Sequence, residues 1–582
     1  MTEQQRGLFA TDPWEIDDRQ FGNIAVVVFA EGASGSFDYL IPDELLSQLS
    51  AGQRVKVPFG RGNSTRVGYC VEVRHQQVPH RRLKSLAELL DDRPLLSPAM
   101  LRLTQRMADY YLTDWGKVLE AVIPTGVRAQ AGTRMQTQCT LTTAGVAVSV
   151  DDLPTKQAAA ICCLRAAGGT LAMAELQEQV PCTAVPLRGL EKKGLLRCHA
   201  ERVQVAQVPH RARTSMEPIT LNDKQREAVD AVVAALQAGR HEVFLLHGVT
   251  GSGKTEVYIK AIEEMIRFRR QAIVLVPEIS LTPQTQHRFR SRFPEVAVLH
   301  SHLSDSERNA HWQRIAAGEV QVIVGARSAV FAPTPHLGLI VIDEEHEASF
   351  KQDKLPRYHA REVAQWRAES ESIPLILGSA TPSLETWQRA RTGQASLLSM
   401  PHRILDLPLP DVVIVDTRHA LGERRGPGAM SSRMLQALKL ALDANEQVIL
   451  LLNRRGYSTH IQCPACGYVA KCPHCDIALT HHREGERAVC HYCEYLMSAP
   501  ARCPDCKFEG IRYSGLGTQR LEAEVRARFP RARVLRMDSD TMRRPGSHEE
   551  SLTKFRDGEV DILVGTQMIA KGLDFPNVTV VG

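Results

Sequence analysis

The 582-residue sequence contains no continuous apolar run near the ~18 residues that a membrane-spanning helix requires. Its first residues, MTEQQRGLFATDPWEIDD, are polar and acidic and lack the apolar core of a secretory signal. The two charge signs nearly balance, with 71 Lys and Arg against 66 Asp and Glu, so net charge indicates no particular partner. The apolar share of 43% excludes a disordered chain and a collagen. We therefore expect a cytoplasmic protein of about three to five domains.

Cysteine is scarce outside one short block. Of the 14 cysteines, eight lie within that block, and all eight form C-x-x-C pairs. In a long chain without a secretory signal, such pairs indicate metal ligands rather than disulfides. Each pair supplies two thiolates from one tight turn, so four pairs predict two closed, structural Zn²⁺ sites. The predicted ligands are Cys463, Cys466, Cys472, Cys475, Cys490, Cys493, Cys503 and Cys506.

Spacing alone leaves three ways of combining the four cysteine pairs. Joining the first pair to the second leaves only five residues between them, and nesting the inner two pairs inside the outer two is less cramped. A redox role for the four pairs is the alternative to zinc.

Changes of pattern along the chain predict an α/β protein with several segments. Short β-rich runs come first, three short helices and a strand of winged-helix type follow, and long apolar strands then alternate with helices. That alternation predicts parallel sheets covered by helices on both faces, in two lobes. The predicted segments are a flexible tail at 1–20, a β-rich domain at 21–128, a winged helix at 129–208, a linker at 209–220, a first lobe at 221–400, and a second lobe at 401–582 into which the cysteine block, 460–510, is inserted.

Three finer expectations belong to these segments. Apolar spacing from about 98 to 119 predicts a helical stretch. The run VVIVDT, which begins at Val412, predicts the first strand of the second lobe. The winged helix leaves two functions open, because such modules bind DNA and also serve as protein–protein adaptors.

A glycine-rich stretch carries the strongest functional signal. Residues 248–255 fit the pattern G-x-x-x-x-G-K-[ST], with an apolar strand before them and a helix, 256–267, after them. Backbone N–H groups of such a loop surround phosphate oxygens, its lysine reaches the β- and γ-phosphates, and its last hydroxyl binds Mg²⁺. A turn that binds nothing is the alternative, and the strand–loop–helix context argues against it. The predicted ATP and Mg²⁺ ligands are Gly248, Val249, Thr250, Gly251, Ser252, Gly253, Lys254 and Thr255.

An acidic motif, D-E-E-H at 343–346, follows another apolar strand. Such a strand delivers Asp343 to Mg²⁺ at its carboxyl end, and Glu344 orients or deprotonates the attacking water. We therefore predict Lys254, Asp343 and Glu344 as catalytic residues. A solvated acidic loop is the alternative, and the phosphate loop upstream argues against it.

These motifs resemble those of superfamily 2 helicases and occur in the same order. D-E-E-H resembles the second motif, and G-S-A-T at 378–381 resembles the third, which links the nucleotide site to the nucleic acid. Gln225 lies where related helicases place an adenine-reading glutamine. Segments 277–282 and 325–329 match positions where the first lobe touches the DNA backbone, and 565–575 resembles the fifth motif. The resemblance implies two RecA-like lobes.

The segment after the acidic motif, 348–361, interleaves aromatic and basic residues. Aromatic rings stack on bases and cations hold phosphates, so this composition predicts a contact with single-stranded DNA. A basic surface loop without a ligand is the alternative. The predicted DNA contacts are Phe350, Lys351 and Arg357, together with Arg327 upstream.

A small β domain, a winged helix, D-E-E-H and an eight-cysteine insertion occur together in the primosomal replication-restart helicases of bacteria, the PriA family. The chain resembles that family over nearly its whole length. The resemblance implies a 3′→5′ DNA helicase that recognises stalled or abandoned forks and initiates primosome assembly. It implies ATP, Mg²⁺ and two Zn²⁺ as cofactors and a nucleoid-associated location. The implied partners are forked and single-stranded DNA, other primosome proteins, the single-stranded-DNA-binding protein and the replicative helicase loader.

The family also implies roles for particular residues. Its N-terminal domain binds the 3′-OH end of a nascent strand, and the matching pocket residues here are Phe37, Asp38, Gly60 and Lys84. Stacking on the phenylalanine and a hydrogen bond to the aspartate suit that ligand, whereas a core phenylalanine and a turn aspartate are the alternative. The family's zinc pairing is nested, so that the outer two C-x-x-C pairs hold one ion and the inner two hold the other.

The sequence departs from the family at Gly582, where it stops before the family's sixth motif and C-terminal domain. The sixth motif supplies an arginine of a type worth ~10³–10⁵ in rate in well-studied NTPases. We expect a truncated chain or fragment that binds ATP and DNA but hydrolyses ATP poorly. The alternatives are a scaffold that recognises DNA structure without motor activity, and another superfamily 2 translocase or an RNA helicase.

Overall fold

The computed structural model describes residues 21–77, 83–204, 219–278, 281, 283–301, 303–404, 410–415, 430–452, 460–463, 465–482, 487–509, 512–514, 518–538, 541–542, 547–566, 569 and 575–582. The chain forms two compact units. The first comprises Met1–Val276 and Phe289–His402, and the second comprises Pro277–Arg288 and Arg403–Gly582. Within the described part, every helix is too short or too polar to span a bilayer. The expected fold class is confirmed, with parallel-sheet lobes, a β-rich N-terminal domain, a winged helix and a cysteine-rich insertion.

The N-terminal domain is a six-stranded sheet whose two longest helices pack on the same face. Its central strand is apolar and buried from Ile24 to Val28, so the sheet has a core on each side. The order is β5-β2-β1-β4-β3-β6. The elements are β1 (Phe21–Val28), β2 (Ser36–Leu40), α1 (Asp43–Leu46), β3 (Arg54–Phe59), β4 (Ser64–Gln77), β5 (Lys84–Ser85), β6 (Glu88–Leu89), α2 (Pro98–Tyr110), α3 (Trp115–Val122) and α4 (Thr125–Arg128).

The helical stretch expected from about 98 to 119 consists of two helices, α2 and α3. The side chain of Ser97 caps α2 by accepting a hydrogen bond from the amide of Met100. The helix ends before Leu112, which has a positive φ of 50° and is 93% exposed. Leu112 fits the apolar spacing of a helix without being buried, and the helical stretch is interrupted at this point.

The winged helix packs four short helices, one more than the three expected, on a small antiparallel sheet in the order β8-β7-β9. Leucines at helical spacing, such as Leu164, Leu176 and Leu187, form its core because the domain is too small to bury any other face. The elements are β7 (Thr133–Leu141), α5 (Thr143–Ala147), α6 (Thr155–Ala166), β8 (Thr170–Ala172), α7 (Met173–Gln179), α8 (Ala184–Lys192) and β9 (Leu196–Gln204).

The first lobe is a seven-stranded parallel sheet in the order β12-β13-β11-β14-β15-β10-β16. Its central strands are apolar on both faces, as helices on both sides require. The elements are α9 (Asp223–Ala238), β10 (Val243–Gly248), α10 (Lys254–Arg267), β11 (Gln271–Leu275), α11 (Pro283–Arg292), β12 (Val296–Leu299), α12 (Asp305–Ala316), β13 (Val322–Gly325), β14 (Leu337–Asp343), α13 (Ala360–Ser370), β15 (Leu375–Ser379), α14 (Leu384–Arg391) and β16 (Ser396–Met400).

The second unit contains a parallel sheet, β23-β24-β17-β25, and an antiparallel sheet in the cysteine-rich insertion, β21-β20-β19-β18-β22. The strand expected from Val412 is absent from the described residues 411–415, where Ile414 is 92% exposed. The elements are α15 (Ser432–Asp443), β17 (Gln447–Leu451), β18 (His460–Gln462), β19 (Thr480–His482), β20 (Arg487–Val489), β21 (Leu496–Ser498), β22 (Arg512–Ser514), α16 (Thr518–Arg528), β23 (Val534–Met537), α17 (Ser547–Arg556), β24 (Ile562–Gly565) and β25 (Val578–Val581).

Candidate nucleotide, metal and DNA sites

The phosphate loop connects β10 to α10, as its sequence pattern predicts. Gly251 and Gly253 have φ values of 81° and 84°, a conformation that side chains disfavour. A Cβ on Gly248 would lie 2.5 Å from Oγ of Ser252, so the loop also needs glycine at its start. The loop therefore turns tightly enough to bring its N–H groups to the N-terminus of α10, where anions bind.

Two polar groups inside this loop fit a phosphate. The ammonium of Lys254 donates a hydrogen bond to the carbonyl of Gly248 at 2.8 Å. The hydroxyl of Ser252 is fully buried and has no hydrogen-bond partner among the described residues. A phosphate group offers the acceptors that both donors can use. Thr255, the predicted Mg²⁺ ligand, is half-buried in the first turn of α10, next to the lysine.

Gln225 supports the phosphate loop from α9. Its carbonyl oxygen accepts a hydrogen bond from the amide of Asn222 at 2.9 Å, and its amide group donates to the carbonyl of Ser252 at 3.3 Å. The side chain is 3% exposed. Both ends of Gln225 are thus bonded to protein, and its role in reading adenine stays a prediction.

Neighbouring strands place the acidic motif beside the phosphate loop. In the sheet register, Asp343 of β14 lies opposite Gly378 of β15, and Ser379 lies opposite His247 of β10. The carboxyl ends of the three strands therefore meet at one edge of the sheet, where open α/β sheets bind ligands. The first, second and third predicted motifs come together there.

Tyr258 holds the carboxylate of Asp343. Its hydroxyl donates a 3.0 Å hydrogen bond to Oδ1 of Asp343 from the second turn of α10. Burial, followed by the nearby charge of Glu344, raises the pKa of Asp343 to about 6, while Lys254 opposes that rise. The close packing leaves no room for a side chain at Gly378, since a Cβ there would lie 1.6 Å from the tyrosine oxygen.

The remaining residues of the acidic motif link it to the third motif. Nδ1 of His346 lies 2.7 Å from Oγ of Ser379 and 3.6 Å from the carboxylate of Glu344. Glu344 itself has a positive φ of 49°, a strained conformation for a side chain with Cβ. Glu344 thus lies close to His346 and its charge acts on Asp343, while its role in orienting water stays a prediction.

Glu345, which sequence reasoning assigned no role, is the centre of a buried network. It is fully buried and forms a 2.7 Å ion pair with Arg361, the second residue of α13. It also accepts hydrogen bonds from the backbone amide of Ser383, at 2.7 Å, and the hydroxyl of Thr386, at 3.0 Å. One carboxylate therefore joins the acidic motif to α13 and to the N-terminus of α14.

The predicted DNA-contact residues fall into two groups, exposed and buried. We call residues 348–359 the basic loop. Lys351 and Arg357 are exposed on it, whereas Phe350 is 1% exposed and packs in the core of the first lobe. The expectation that Phe350 stacks on a base is therefore wrong for this conformation. Arg327 donates to the carbonyls of Ser349, at 2.9 Å, and of Lys351, at 2.5 Å, and so braces the loop.

The four predicted 3′-end pocket residues all lie in the N-terminal domain. The ring of Phe37 packs edge-on against Phe59, with centroids 5.2 Å apart. Gly60 is the next residue after Phe59 in the chain, and its carbonyl accepts a 2.6 Å hydrogen bond from the ammonium of Lys84. Asp38 is partly exposed next to Phe37 on β2. Phe37, Gly60 and Lys84 thus form one group with an aromatic ring and a cation, whereas the side chain of Asp38 points to the opposite face of the sheet from Phe37, because side chains alternate along a strand.

The four C-x-x-C pairs adopt one repeated backbone turn. In each, the carbonyl of the first cysteine accepts from the amide four residues later, and its N–H donates to the carbonyl five residues later, at 2.7 to 3.1 Å. The residue immediately after the second cysteine has a positive φ in every turn, and in three of the turns this residue is not glycine: Asp476, Glu494 and Lys507. Such strain persists where the surroundings enforce it, as a bound metal does.

The turns come together as two groups of four cysteines. The outer pairs form one group, with Cys463 and Cys506 sulfurs 3.6 Å apart, and the inner pairs form the other, with Cys472 and Cys493 sulfurs 3.5 Å apart. All sulfurs within a group lie within 4.8 Å of one another. A tetrahedron with Zn–S bonds of ~2.3 Å has sulfur separations of about 3.8 Å, so each group fits one Zn²⁺.

Parts of two further motifs lie outside the described residues. In the segment 277–282 these are Ile279, Ser280 and Thr282, and in the fifth motif they are residues 567, 568 and 570–574. The described start of the fifth motif lies at the end of β24, where Gly565 is the last residue of the strand and Thr566 follows it.

Comparisons with known proteins identify the family. Residues 25–124 match the model described as 3'DNA-binding domain (3'BD), and residues 472–497 match the PriA DNA helicase Cys-rich region (CRR) domain. The "Replication restart protein PriA" of Bacillus subtilis is 39% identical over 97% of this chain and 78% of its own length. The chain belongs to the PriA family.

Other PriA relatives agree with this assignment. The protein from Synechocystis is 45% identical over 73% of this chain and 52% of its own length. The protein from Haemophilus influenzae is 35% identical over 94% of this chain and 74% of its own length. The chain thus spans about half of one curated relative and about three quarters of the other two. Residues 218–384 match "Type III restriction enzyme, res subunit", and 517–582 match "Helicase conserved C-terminal domain". These PriA and helicase domains make the chain a DNA helicase with DNA as a partner.

Two functional residues had only weak signals in the sequence. Tyr258 follows Lys254 by one helical turn, so helical spacing could have placed both on the same face of α10. Glu345 is simply the third residue of D-E-E-H, and its partner Arg361 lies in a stretch whose basic residues were interpreted as DNA contacts. Nothing in its spacing distinguishes this buried arginine from its exposed neighbours.

Proposed function

We propose that the protein is an ATP-dependent 3′→5′ DNA helicase that recognises stalled or abandoned replication forks and initiates primosome assembly for replication restart. The observation that carries this proposal is the meeting of three helicase motifs at adjacent strand ends, in a chain that also has a 3′-end DNA-binding domain. The registers bring Asp343 and Ser379 next to the phosphate loop, which is the arrangement that phosphoryl transfer needs.

In the proposed nucleotide site, the N–H groups of 248–255 and the ammonium of Lys254 hold the phosphates of ATP. Thr255 and Asp343 hold Mg²⁺, which supplies positive charge to the phosphate oxygens. Glu344 orients the attacking water and accepts its proton. His346 contacts both Glu344 and Ser379, so it passes the change in the charge of Glu344 on to the third motif. Tyr258 keeps Asp343 in place through its hydrogen bond of 3.0 Å.

For DNA, we assign two regions with different tasks. Lys351 and Arg357 contact phosphates of the translocated strand, and Arg327 positions them through the loop backbone. The cluster of Phe37, Asp38, Gly60 and Lys84 takes the 3′-OH terminus of a nascent strand, by stacking on the ring and by a hydrogen bond to the carboxylate.

The further assignments follow from family membership. The two cysteine groups hold one structural Zn²⁺ each. Primosome proteins, the single-stranded-DNA-binding protein and the replicative helicase loader are the proposed protein partners, in a bacterial cytoplasm and at the nucleoid. The proposed domain limits remain those expected from the sequence: 21–128, 129–208, 221–400 and 401–582, with 460–510 inserted.

The test is Mg²⁺-dependent ATP hydrolysis and strand displacement on a synthetic fork, with Glu344→Gln as the variant. The proposal predicts fork-stimulated hydrolysis that falls by about 10²–10⁴-fold in the variant, the range for loss of a general base, while ATP binding persists. Glu347→Gln, a nearby acid outside D-E-E-H, is the matched control. Binding of ATP and fork without any turnover by the wild-type chain would instead support the scaffold function without motor activity.

A further inference from the structure

The basic loop has a neighbour outside the motor lobe, Tyr111 of the N-terminal domain. Tyr111 follows the last residue of α2, and its hydroxyl accepts a 3.0 Å hydrogen bond from the backbone N–H of His359. The two residues are 248 positions apart in sequence. His359 in turn caps α13, because its ring accepts a hydrogen bond from the amide of Arg361 at 3.2 Å.

The same tyrosine ring meets the other end of the basic loop. The ammonium of Lys351 lies 5.2 Å from the centroid of the Tyr111 ring, within the range of a cation–π contact. Lys351 and His359 are also joined by an isolated antiparallel bridge. Tyr111 thus contacts both strands of this bridge, one through its hydroxyl and the other through its ring face.

The N-terminal domain is anchored firmly enough to act as a support. Its core residues and those of the first lobe form one continuous apolar cluster. Gly126 packs so closely on Asp305 that a Cβ there would lie 2.2 Å from the carbonyl oxygen of Asp305, and just past the end of this domain the amide of Asn309 donates to the carbonyl of Ala131 at 2.8 Å. Tyr111 is therefore held by its own domain rather than by the loop.

We propose that Tyr111 is a positioning residue for DNA engagement, through which the N-terminal domain holds the basic loop in the conformation that exposes Lys351 and Arg357. Arg327 braces the loop from the motor side and Tyr111 braces it from the N-terminal side. Because Lys351 is exposed while it contacts the ring, a DNA phosphate can replace that contact without breaking the Tyr111–His359 hydrogen bond. This inference rests on the proposed DNA contact of the basic loop.

The test compares Tyr111→Phe with Tyr110→Phe in the full chain. Tyr110 is the adjacent tyrosine, is 63% exposed, and packs its ring on Trp366, so its substitution controls for loss of a hydroxyl. Amide hydrogen exchange of the peptide containing His359 reports the bond itself. Fluorescence anisotropy with a labelled single-stranded oligonucleotide reports DNA binding, and a fluorescent ATP analogue reports the phosphate loop.

We expect Tyr111→Phe to speed exchange at His359 and to weaken oligonucleotide binding by about fivefold, the factor for one net hydrogen bond. ATP-analogue affinity should not change, and Tyr110→Phe should match the wild type. Tyr111→Leu, which also removes the ring, should weaken DNA binding further. Unchanged exchange in Tyr111→Phe overturns the inference, and faster exchange with unchanged DNA affinity reduces Tyr111 to a structural contact. If the wild type binds no oligonucleotide, the proposed function fails, whereas the exchange result still decides whether Tyr111 holds the loop.

Discussion

The hydroxyl of Tyr258 lies 3.0 Å from Oδ1 of Asp343 and donates a hydrogen bond to it. This bond joins the helix that follows the phosphate loop to the strand that carries the acidic motif. Burial and the charge of Glu344 raise the pKa of Asp343 to about 6, and the hydroxyl of Tyr258, together with Lys254, acts against that rise. The nucleotide site therefore includes a tyrosine that lies outside both motifs.

Mg²⁺-dependent nucleotide binding should be lost when Asp343 becomes protonated. Mg²⁺ needs the carboxylate form, so its contribution to ATP affinity is complete well above pH 6 and is lost as the pH falls through about 6. Tyr258→Phe removes a bond that favours the charged form, and it should move this loss to higher pH. Titration of a fluorescent ATP analogue at a series of pH values, with and without Mg²⁺, measures the effect. Identical pH profiles for Tyr258→Phe and the wild type would show that the bond does not tune Asp343.

Gly378→Ala should weaken the same nucleotide site by displacing Tyr258 or the strand that carries residue 378. The new methyl group would lie 1.6 Å from the oxygen of Tyr258, so the tyrosine or the strand must move. We expect a loss of about 1–3 kcal/mol in unfolding free energy, as for other overpacked cores, together with weaker Mg²⁺-dependent ATP binding. Gly62→Ala, where an added Cβ meets nothing within 4 Å, is the control for denaturant unfolding and titration. Equal behaviour of the two variants would contradict the packing argument.

Glu345→Ala should be among the most destabilising single changes in the first lobe. It leaves Arg361, which is 8% exposed, without its buried partner, and breaking a buried ion pair in this way costs about 3–5 kcal/mol. Glu227→Ala removes an exposed partner of Lys224 and should cost at most about 1 kcal/mol. Chemical denaturation of both variants beside the wild type compares the two losses. A similar, small loss in both would show that the buried network contributes no more than a surface pair.

Metal analysis of the purified protein should find two Zn²⁺ per chain. Cys503→Ala and Cys490→Ala each remove one ligand from a different group, so each should lose about one equivalent while the other ion stays. Cys182→Ala is the control, because this half-buried cysteine lies in the winged helix, away from both groups. Loss of both ions from either single variant would contradict two independent sites, and retention of both would contradict the ligand assignment.

The sequence predicted the sites whose chemistry is local. The phosphate loop and the C-x-x-C turns are formed by consecutive residues, so pattern and spacing located them. Residues that act through distant partners were missed or misassigned: Glu345 pairs with Arg361 of α13, and Phe350 is buried by the lobe core. An aromatic ring in a basic loop looks the same in sequence whether it faces DNA or the core.

Exposed apolar residues caused the differences between the expected and the observed secondary structure. Leu112 and Ile414 fit helical and strand patterns but are 93% and 92% exposed in the fold. Apolar periodicity predicts an element because it usually reflects a buried face. At these two positions no face is buried, so the pattern and the structure diverge.

The most direct test of the central claim is the affinity of the chain for ATP and Mg²⁺, measured calorimetrically for the wild type, Lys254→Ala and Lys260→Ala. Both lysines lie on α10, but Lys254 belongs to the phosphate loop and Lys260 pairs with Glu263 at 2.9 Å. The account predicts that Lys254→Ala weakens binding by about 10–100-fold, as loss of a charged hydrogen bond does, while Lys260→Ala binds like the wild type. Equal affinity in all three proteins would contradict the assignment of the nucleotide site.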